Sequence, residues 1–301
     1  MPLKIKLGSR KSPLALIQAN QVKQLLQANL PEAIITIIEI MSQGDIDKTS
    51  PLSAIGGKGV FVKALEDALL TGQIDIAIHS LKDITSTMPD QLELTGFLSP
   101  ESRSDTVVFN PNGPCDLAAL PEGSVIATSS MRRLALLAMQ YPHLKTVDIR
   151  GNVDTRLQKL VTQNFSATIL STAGLKRLNK WGDNYTELNP LSFIPAPGQG
   201  VVTMQTKKQS TFAQYCQQIS CPIQTELSQL EMAILTRVGL DCRYPFGLYI
   251  TKEKNIFKVR SFVASQDGLS QQLFSYAFEH TDNCIQMVCE EAIKALKQLN
   301  K

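Results

Sequence analysis

Hydrophobic and polar positions change period repeatedly along this chain. Leu3, Ile5 and Leu7 alternate with polar neighbours, the two-residue period of a half-buried strand. Ser12 then precedes Pro13, an N-cap followed by a proline at the first helical position, and predicts a helix running to about Asn29. The β-branched, apolar run over 34–41 predicts a second strand. After a polar, Gly-containing stretch, residues 60–70 have helical periodicity and Gly72 supplies a stop. Residues 74–78, Ile-Asp-Ile-Ala-Ile, form a third strand. This βαβαβ alternation implies a parallel sheet with covering helices.

The rhythm restarts near residue 104. Strands are expected at 106–109, 124–128, 146–150 and 167–170, with helices beginning near Ser129, Val153 and Ala173. The Pro/Gly-rich segment 194–200 interrupts the order as a linker would. Beyond it, a helix over 225–239, antiparallel strands at 248–251, 257–264 and 274–278, and an amphipathic helix over 283–299 complete the pattern. The expected fold class is therefore α/β: two α/β lobes followed by a small α+β C-terminal domain.

Composition narrows the function classes. At 301 residues the chain is long enough for two or three domains, and its 43% hydrophobic and 19% charged residues are those of a globular protein. The formal net charge is only +3 and no block of like charges occurs, so neither nucleic acid nor a membrane surface is indicated as a partner. No apolar run reaches the roughly 18–20 residues of a membrane span. The N-terminal stretch has the features of neither a signal nor a transit peptide, which points to the cytoplasm. Six cysteines without a Cys-x-x-Cys pair, and three histidines, argue for free thiols and against a metal site.

Candidate chemistry lies just after the predicted strands. Arg10 follows the first; His79-Ser80-Leu81-Lys82-Asp83 follows the third. Thr128-Ser129-Ser130-Met131-Arg132-Arg133 and Arg150-Gly151-Asn152 follow strands of the second lobe, at helix N-termini whose free N–H groups favour anions. In open α/β sheets the carboxyl ends of the strands line the ligand crevice, so the two lobes are expected to turn these groups to one cleft. Arg10, Arg132, Arg133, Arg150 and Arg156 would suit several carboxylates or phosphates, because the guanidinium fork pairs bidentately with them. The blander reading is that such arginines are solvated or pair with Asp and Glu. His79 is either a base or a packing residue at a strand end, and Asp83 either a functional acid or the ion-pair partner of Lys82. Gly56-Gly57-Lys58-Gly59 lacks the spacing of a Walker phosphate loop. On spacing alone Cys242 is an ordinary thiol. These residues describe a two-lobed binder of, or enzyme for, a polyanionic small molecule.

The motifs also resemble a known family. Gly8-Ser9-Arg10-Lys11-Ser12-Pro13-Leu14-Ala15, Gly56-Gly57-Lys58-Gly59-Val60-Phe61, His79-Ser80-Leu81-Lys82-Asp83, Thr128-Ser129-Ser130-Met131-Arg132-Arg133, Arg150-Gly151-Asn152-Val153-Asp154-Thr155-Arg156, Ala173-Gly174-Leu175-Lys176-Arg177-Leu178 and Pro195-Ala196-Pro197-Gly198-Gln199-Gly200 are similar to the signatures of porphobilinogen deaminases (hydroxymethylbilane synthases), in the same order. The resemblance implies two periplasmic-binding-protein-like lobes, 1–99 plus about 196–216 and 104–192, and a cofactor-attachment domain over 220–301. It implies a monomeric transferase of tetrapyrrole and haem biosynthesis that joins four porphobilinogens into hydroxymethylbilane with release of ammonia. Growth would occur on a dipyrromethane bound by a thioether to Cys242.

Carried over position by position, the resemblance makes Asp83 and Arg10 catalytic. Lys82, Asp83, Thr128, Ser129, Arg132, Arg133, Arg150 and Gly151 would hold the cofactor, and Arg10, Ser12, Gln18, Arg150, Arg156 and Arg177 the substrate. Lys58 and Phe61 would belong to a lid or loop, and the polar stretch 42–58 is expected to be a mobile lid on its Gly content and lack of apolar anchors. Every added pyrrole brings two carboxylates, and one ion pair at ~4 Å is worth about 4 kcal/mol at an effective dielectric near 20, before desolvation. A row of cations answers that need.

The attachment loop departs from the family's usual Gly-Gly-Cys, reading Leu240-Asp241-Cys242, although Cys242, Pro245 and Gly247 keep register. Gln205 stands where many members carry Glu, and Met232 follows Glu231 where Arg is usual. Two other readings therefore stand beside the enzyme: a family member that binds pyrroles with impaired attachment, and a two-lobed small-anion-binding protein.

Overall fold

The computed structural model describes residues 2–41, 59–111, 113–239, 244–265, 268 and 270–299. The chain divides into two compact units, Met1–Glu101 with Gly200–Ser228, and Ser102–Gln199 with Gln229–Lys301.

In the first unit, strand β1 (Lys4–Arg10) leads into helix α1 (Pro13–Asn29), whose N-cap Ser12 accepts a hydrogen bond from the Ala15 amide. Strand β2 (Ile34–Ile40), helix α2 (Gly59–Thr71) and strand β3 (Ile76–Ser80) follow. A single 3-10 turn, Leu81–Asp83, leaves β3, and strand β4 (Leu92–Phe97) comes next. The last strand of this sheet, β10 (Val202–Lys207), arrives only after the chain has passed through residues 102–199. The order is β2-β1-β3-β10-β4. Strands β1, β2 and β3 are parallel, as the alternation predicts, whereas β10 runs antiparallel to both β3 and β4. The sheet is therefore mixed rather than wholly parallel. Ile5, Leu7, Val22, Leu26, Ile76 and Val202 pack its core.

The second unit repeats this plan. Its five-stranded sheet has the order β7-β6-β8-β5-β9, built from β5 (Asp105–Phe109), β6 (Val125–Ala127), β7 (Lys145–Val147), β8 (Ala167–Ser171) and β9 (Tyr185–Glu187). Here β6, β7 and β8 are parallel and β5 is antiparallel to β8 and β9. Helices α3 (Met131–Gln140), α4 (Val153–Thr162) and α5 (Thr172–Arg177) follow β6, β7 and β8 in turn. The unit also holds an antiparallel sheet of β11 (Phe246–Glu253), β12 (Ile256–Ala264) and β13 (Gln271–Phe278), packed by helix α8 (Thr281–Leu299). Phe262 and Ala264 of β12 join Val107, Phe109, Ile169 and Phe193 in one core.

Strands β4, β9 and β10 and the short helix α6 (Ala213–Gln218) were not anticipated from the pattern. Burial explains the case of β10: its first five residues are all buried, so Thr203, Gln205 and Thr206 break the apolar periodicity without facing water. The strand expected at 146–150 ends at Val147, and Asp148 to Arg150 form a loop. Helix α7 (Pro222–Val238) matches the helix expected there.

Candidate functional site

In the first unit the expected groups gather at one end of the sheet. Strands β1 and β3 are adjacent and parallel, with Leu7 opposite Ile76 and Gly8 opposite Ala77, so continuing that register brings Arg10 level with His79. The 3-10 turn carries Lys82 and Asp83 directly off the end of β3, anchored by Leu81 in the core. Arg10, Lys82 and Asp83 are half-buried. Gln18 is buried on α1, and its amide donates to Ser80 Oγ at 2.9 Å, tying the helix to the strand end. Ser12 spends its hydroxyl on the α1 cap.

His79 is 5% exposed and packs inward, as the blander reading of it expects. Its Nε2 lies 3.0 Å from Gln205 Oε1 on β10, and Gln205 Nε2 lies 3.0 Å from Glu66 Oε1 on α2. Burial pulls the imidazole down to about 4, while the Gln205 hydrogen bond and the Asp83 charge act upward and Arg10 acts downward. Glu66 is raised by burial, against the Gln205 hydrogen bond.

In the second unit the same sheet end carries the arginines. Ser130 caps α3, accepting from the Arg133 amide, and the helix turns Arg132 and Arg133 inward. Asp105, fully buried at the start of β5, receives Arg132 Nη2 at 2.7 Å and Arg133 Nη2 at 2.6 Å. Arg132 also donates to the Ile194 carbonyl and Arg133 to the Ile169 carbonyl. Gln199 Nε2 adds a further donor to Asp105 Oδ1 at 3.1 Å. Burial alone would raise the Asp105 carboxyl, but the two guanidiniums overcome it and hold it at about 2. Of the Arg132 donors, buried Nε has no hydrogen-bond partner.

The β6 and β7 ends are laced together. Ser129 Oγ donates to the Ile149 carbonyl at 2.5 Å and accepts from the Ile149 amide at 3.1 Å. Thr128 is buried, and its amide donates to the Val147 carbonyl. Arg150 lies 3.9 Å from Asp148, and Gly151 has φ 116°, where any Cβ would come within 2.5 Å of Thr155 Cγ2. Arg156 Nε donates to the Gly151 carbonyl at 2.8 Å. Its guanidinium is lowered to about 10, first by burial and then by the Arg133 and Arg150 charges, with Asp148 opposing. Arg177, half-buried, ends α5.

Residues 5–214 match the family model described as "Porphobilinogen deaminase, dipyromethane cofactor binding domain". The chain is 39% identical over 268 residues to a probable porphobilinogen deaminase of Methanocella arvoryzae, covering 89% of this chain and 86% of that one. It is 36% identical over 299 residues to the porphobilinogen deaminase of Staphylococcus saprophyticus, covering 98% and 95%. The chain belongs to the porphobilinogen deaminase family. Among solved structures it is similar to the periplasmic VFT2 domain of Bordetella pertussis BvgS, at 17% identity and a TM-score of 0.43, over 77% of this chain and 92% of that one.

For a porphobilinogen deaminase, the dipyrromethane cofactor carries several carboxylates, and the residues present fit such a group. The buried, unpartnered Arg132 Nε is a donor that a bound carboxylate would satisfy. Cys242, Lys58 and the stretch 42–58 lie outside the described residues, as does the side chain of Phe61. Among the described residues no helix is long and apolar enough to cross a membrane.

Sequence reasoning missed Asp105, Glu66 and Glu231. Glu231, fully buried on α7, takes Arg103 Nη2 at 2.6 Å and the Gly198 amide at 2.7 Å, fixing the Pro/Gly segment. An acid that starts a strand or lies mid-helix carries no local mark of burial. The only available signal was a surplus of arginines needing counter-charge.

Proposed function

We propose that this chain condenses four porphobilinogens, one at a time, releasing one ammonia at each condensation, and that one water then cleaves the tetrapyrrole from the cofactor as hydroxymethylbilane. The observation that carries this reading is the match of residues 5–214 to the family's cofactor-binding domain. Dipyrromethane, held by a thioether to Cys242, supplies the free pyrrole carbon from which the product grows. All other tasks fall to the chain's own groups.

Those tasks are binding carboxylates and managing charge. Arg10, Ser12, Gln18, Arg150, Arg156 and Arg177 take the acetate and propionate of porphobilinogen. Lys82, Thr128, Ser129, Arg132, Arg133 and the Gly151 backbone take the cofactor's carboxylates. The unpartnered Arg132 Nε supports this assignment. Loss of ammonia breaks the aminomethyl C–N bond of porphobilinogen and spreads positive charge over its pyrrole. The Asp83 carboxylate accepts the pyrrole N–H and stabilises that charge, while Arg10 binds a substrate carboxylate and so positions the departing amine. On the same reading the chain is a cytoplasmic monomer of three domains, 1–99 with about 196–216, 104–192 and 220–301.

The test is the intact mass of the purified protein beside a Cys242→Ser variant, with an acid aldehyde reaction for dipyrromethane. An adduct of two linked pyrroles on the wild type alone is expected. An unmodified mass that persists after incubation with porphobilinogen would overturn the enzyme in favour of a pyrrole binder with a drifted attachment loop. In the loaded enzyme, Asp83→Ala should lower ammonia release at least about 100-fold.

A further inference from the structure

The buried group at the back of the first unit's strand ends has a direction. A glutamine amide offers hydrogen-bond donors at one end and an acceptor at the other. Two neighbours decide which end of Gln205 is which. Glu66 Oε1 lies 3.0 Å from Nε2 and, when ionised, only accepts; Met88 Sδ lies 2.9 Å from the same Nε2 and is also an acceptor. Both amide protons are thereby placed, and the carbonyl oxygen faces His79 Nε2 at 3.0 Å. That nitrogen must then carry the ring proton, which leaves Nδ1 as the lone-pair nitrogen. The amide reverses only if Glu66 takes up a proton and turns donor.

The placement follows from the sheet. Thr203 of β10 is paired with His79 of β3 and Gln205 with Ala77, so Gln205 is the diagonal neighbour of His79 on the same face. Helix α2 brings Glu66 over that face. Gln205 is 0% exposed and Glu66 9%, so water does not compete for the amide. The charged groups acting on His79 from its other neighbours are Asp83 on the 3-10 turn and Arg10 on β1, and Asp67 acts on Glu66 from α2 itself.

We propose that Gln205 is a positioning residue: its amide, oriented by Glu66 and Met88, holds His79 as the Nε2–H tautomer and, being uncharged, draws a second proton to the ring far less than a carboxylate at this position would. The proposal rests on the reading of Asp83 and Arg10 as the reaction centre. An imidazolium at His79 would be attracted to the Asp83 carboxylate and would compete with the pyrrole N–H groups for it. A neutral ring leaves that charge to the substrate. Burial holds the ring's affinity for a second proton low and outweighs the upward pull of the Gln205 hydrogen bond.

The test uses the full chain labelled with 15N-histidine, its three histidines distinguished by His143→Gln and His280→Gln variants. Long-range 1H–15N spectra from about pH 8 down to about pH 4 report tautomer and titration together. They do so whether or not cofactor is loaded. The wild type is expected to show His79 neutral with the proton on Nε2. Gln205→Glu, which puts an acceptor carboxylate opposite that nitrogen, should raise the His79 proton affinity at least about tenfold and move the acid limb of ammonia release upward with it. Glu66→Gln, which frees the amide to reverse, should give a mixture of the two tautomers.

A wild-type ring protonated on Nδ1, or one titrating near the ordinary value, would overturn the proposal without any variant. A shifted titration in Gln205→Glu with an unmoved acid limb would overturn the positioning role. Failure of the underlying reading shows separately, as an Asp83→Ala enzyme that keeps wild-type turnover.

Discussion

Burial lowers the His79 imidazole to about 4, although the Gln205 hydrogen bond and the Asp83 charge act the other way. The consequence for stability has a definite sign. As pH falls through about 6.5 the unfolded chain takes up a proton at His79 while the folded chain does not, so stability is lost between about 6.5 and about 4. Above that window the group contributes no slope. The loss should approach about 3 kcal/mol at the lower end, read as a falling urea midpoint, and a His79→Gln chain should lack it. Asp105 titrates lower still. Its stabilisation is complete above about 3.8 and disappears as pH falls towards about 2. Replacing it is more severe than protonating it, because Asp105→Asn leaves Arg132 and Arg133 buried without a counter-charge at any pH. That variant should lose about 3–5 kcal/mol in urea unfolding at neutral pH.

Elements matter here mainly through their ends. Serine and asparagine N-caps open α1, α3 and α4, and each is followed within a turn or two by residues assigned to ligand binding. The turn from β7 into α4 depends on Gly151, whose φ of 116° is closed to an ordinary side chain and whose Cβ would strike Thr155. The carbonyl of that glycine fixes Arg156, and the residue before it is Arg150. Gly151→Ala should therefore cost about 1–3 kcal/mol of stability. It should also weaken porphobilinogen binding more than the stability loss explains, measured by calorimetry well below the unfolding temperature. The first strand and the helix ends beside it were legible beforehand: Leu3, Ile5 and Leu7 alternate, Pro13 starts a helix, and Gly72 stops one. Strand β10 was not, because a strand buried on both faces with Thr203, Gln205 and Thr206 in it has no alternation to read.

At the scale of the whole molecule, the two units share a sheet plan in which a fourth, antiparallel strand comes from outside the local βαβ run. The thiols reflect how these units bury their interiors. Cys216 and Cys284 are fully buried and pushed up to about 12 by burial, and Cys289 is raised in the same way. Cys115 is exposed, and Cys221 is lowered by a hydrogen bond from Ser99 and the amides of the α7 N-terminus. Of these five, Cys115 and Cys221 should react quickly with a thiol reagent in the native protein, and the other three only on unfolding. The sequence by itself determined the α/β class, most helices, and the family, because periodicity, caps and ordered motifs are local properties of the chain. Tertiary structure decided which polar groups became partners: Asp105 with two arginines, Glu231 with Arg103 and Gly198, and Gln205 between Glu66 and His79. The physical reason is that a polar group is buried only with its partner, and in these networks that partner comes from a distant part of the chain.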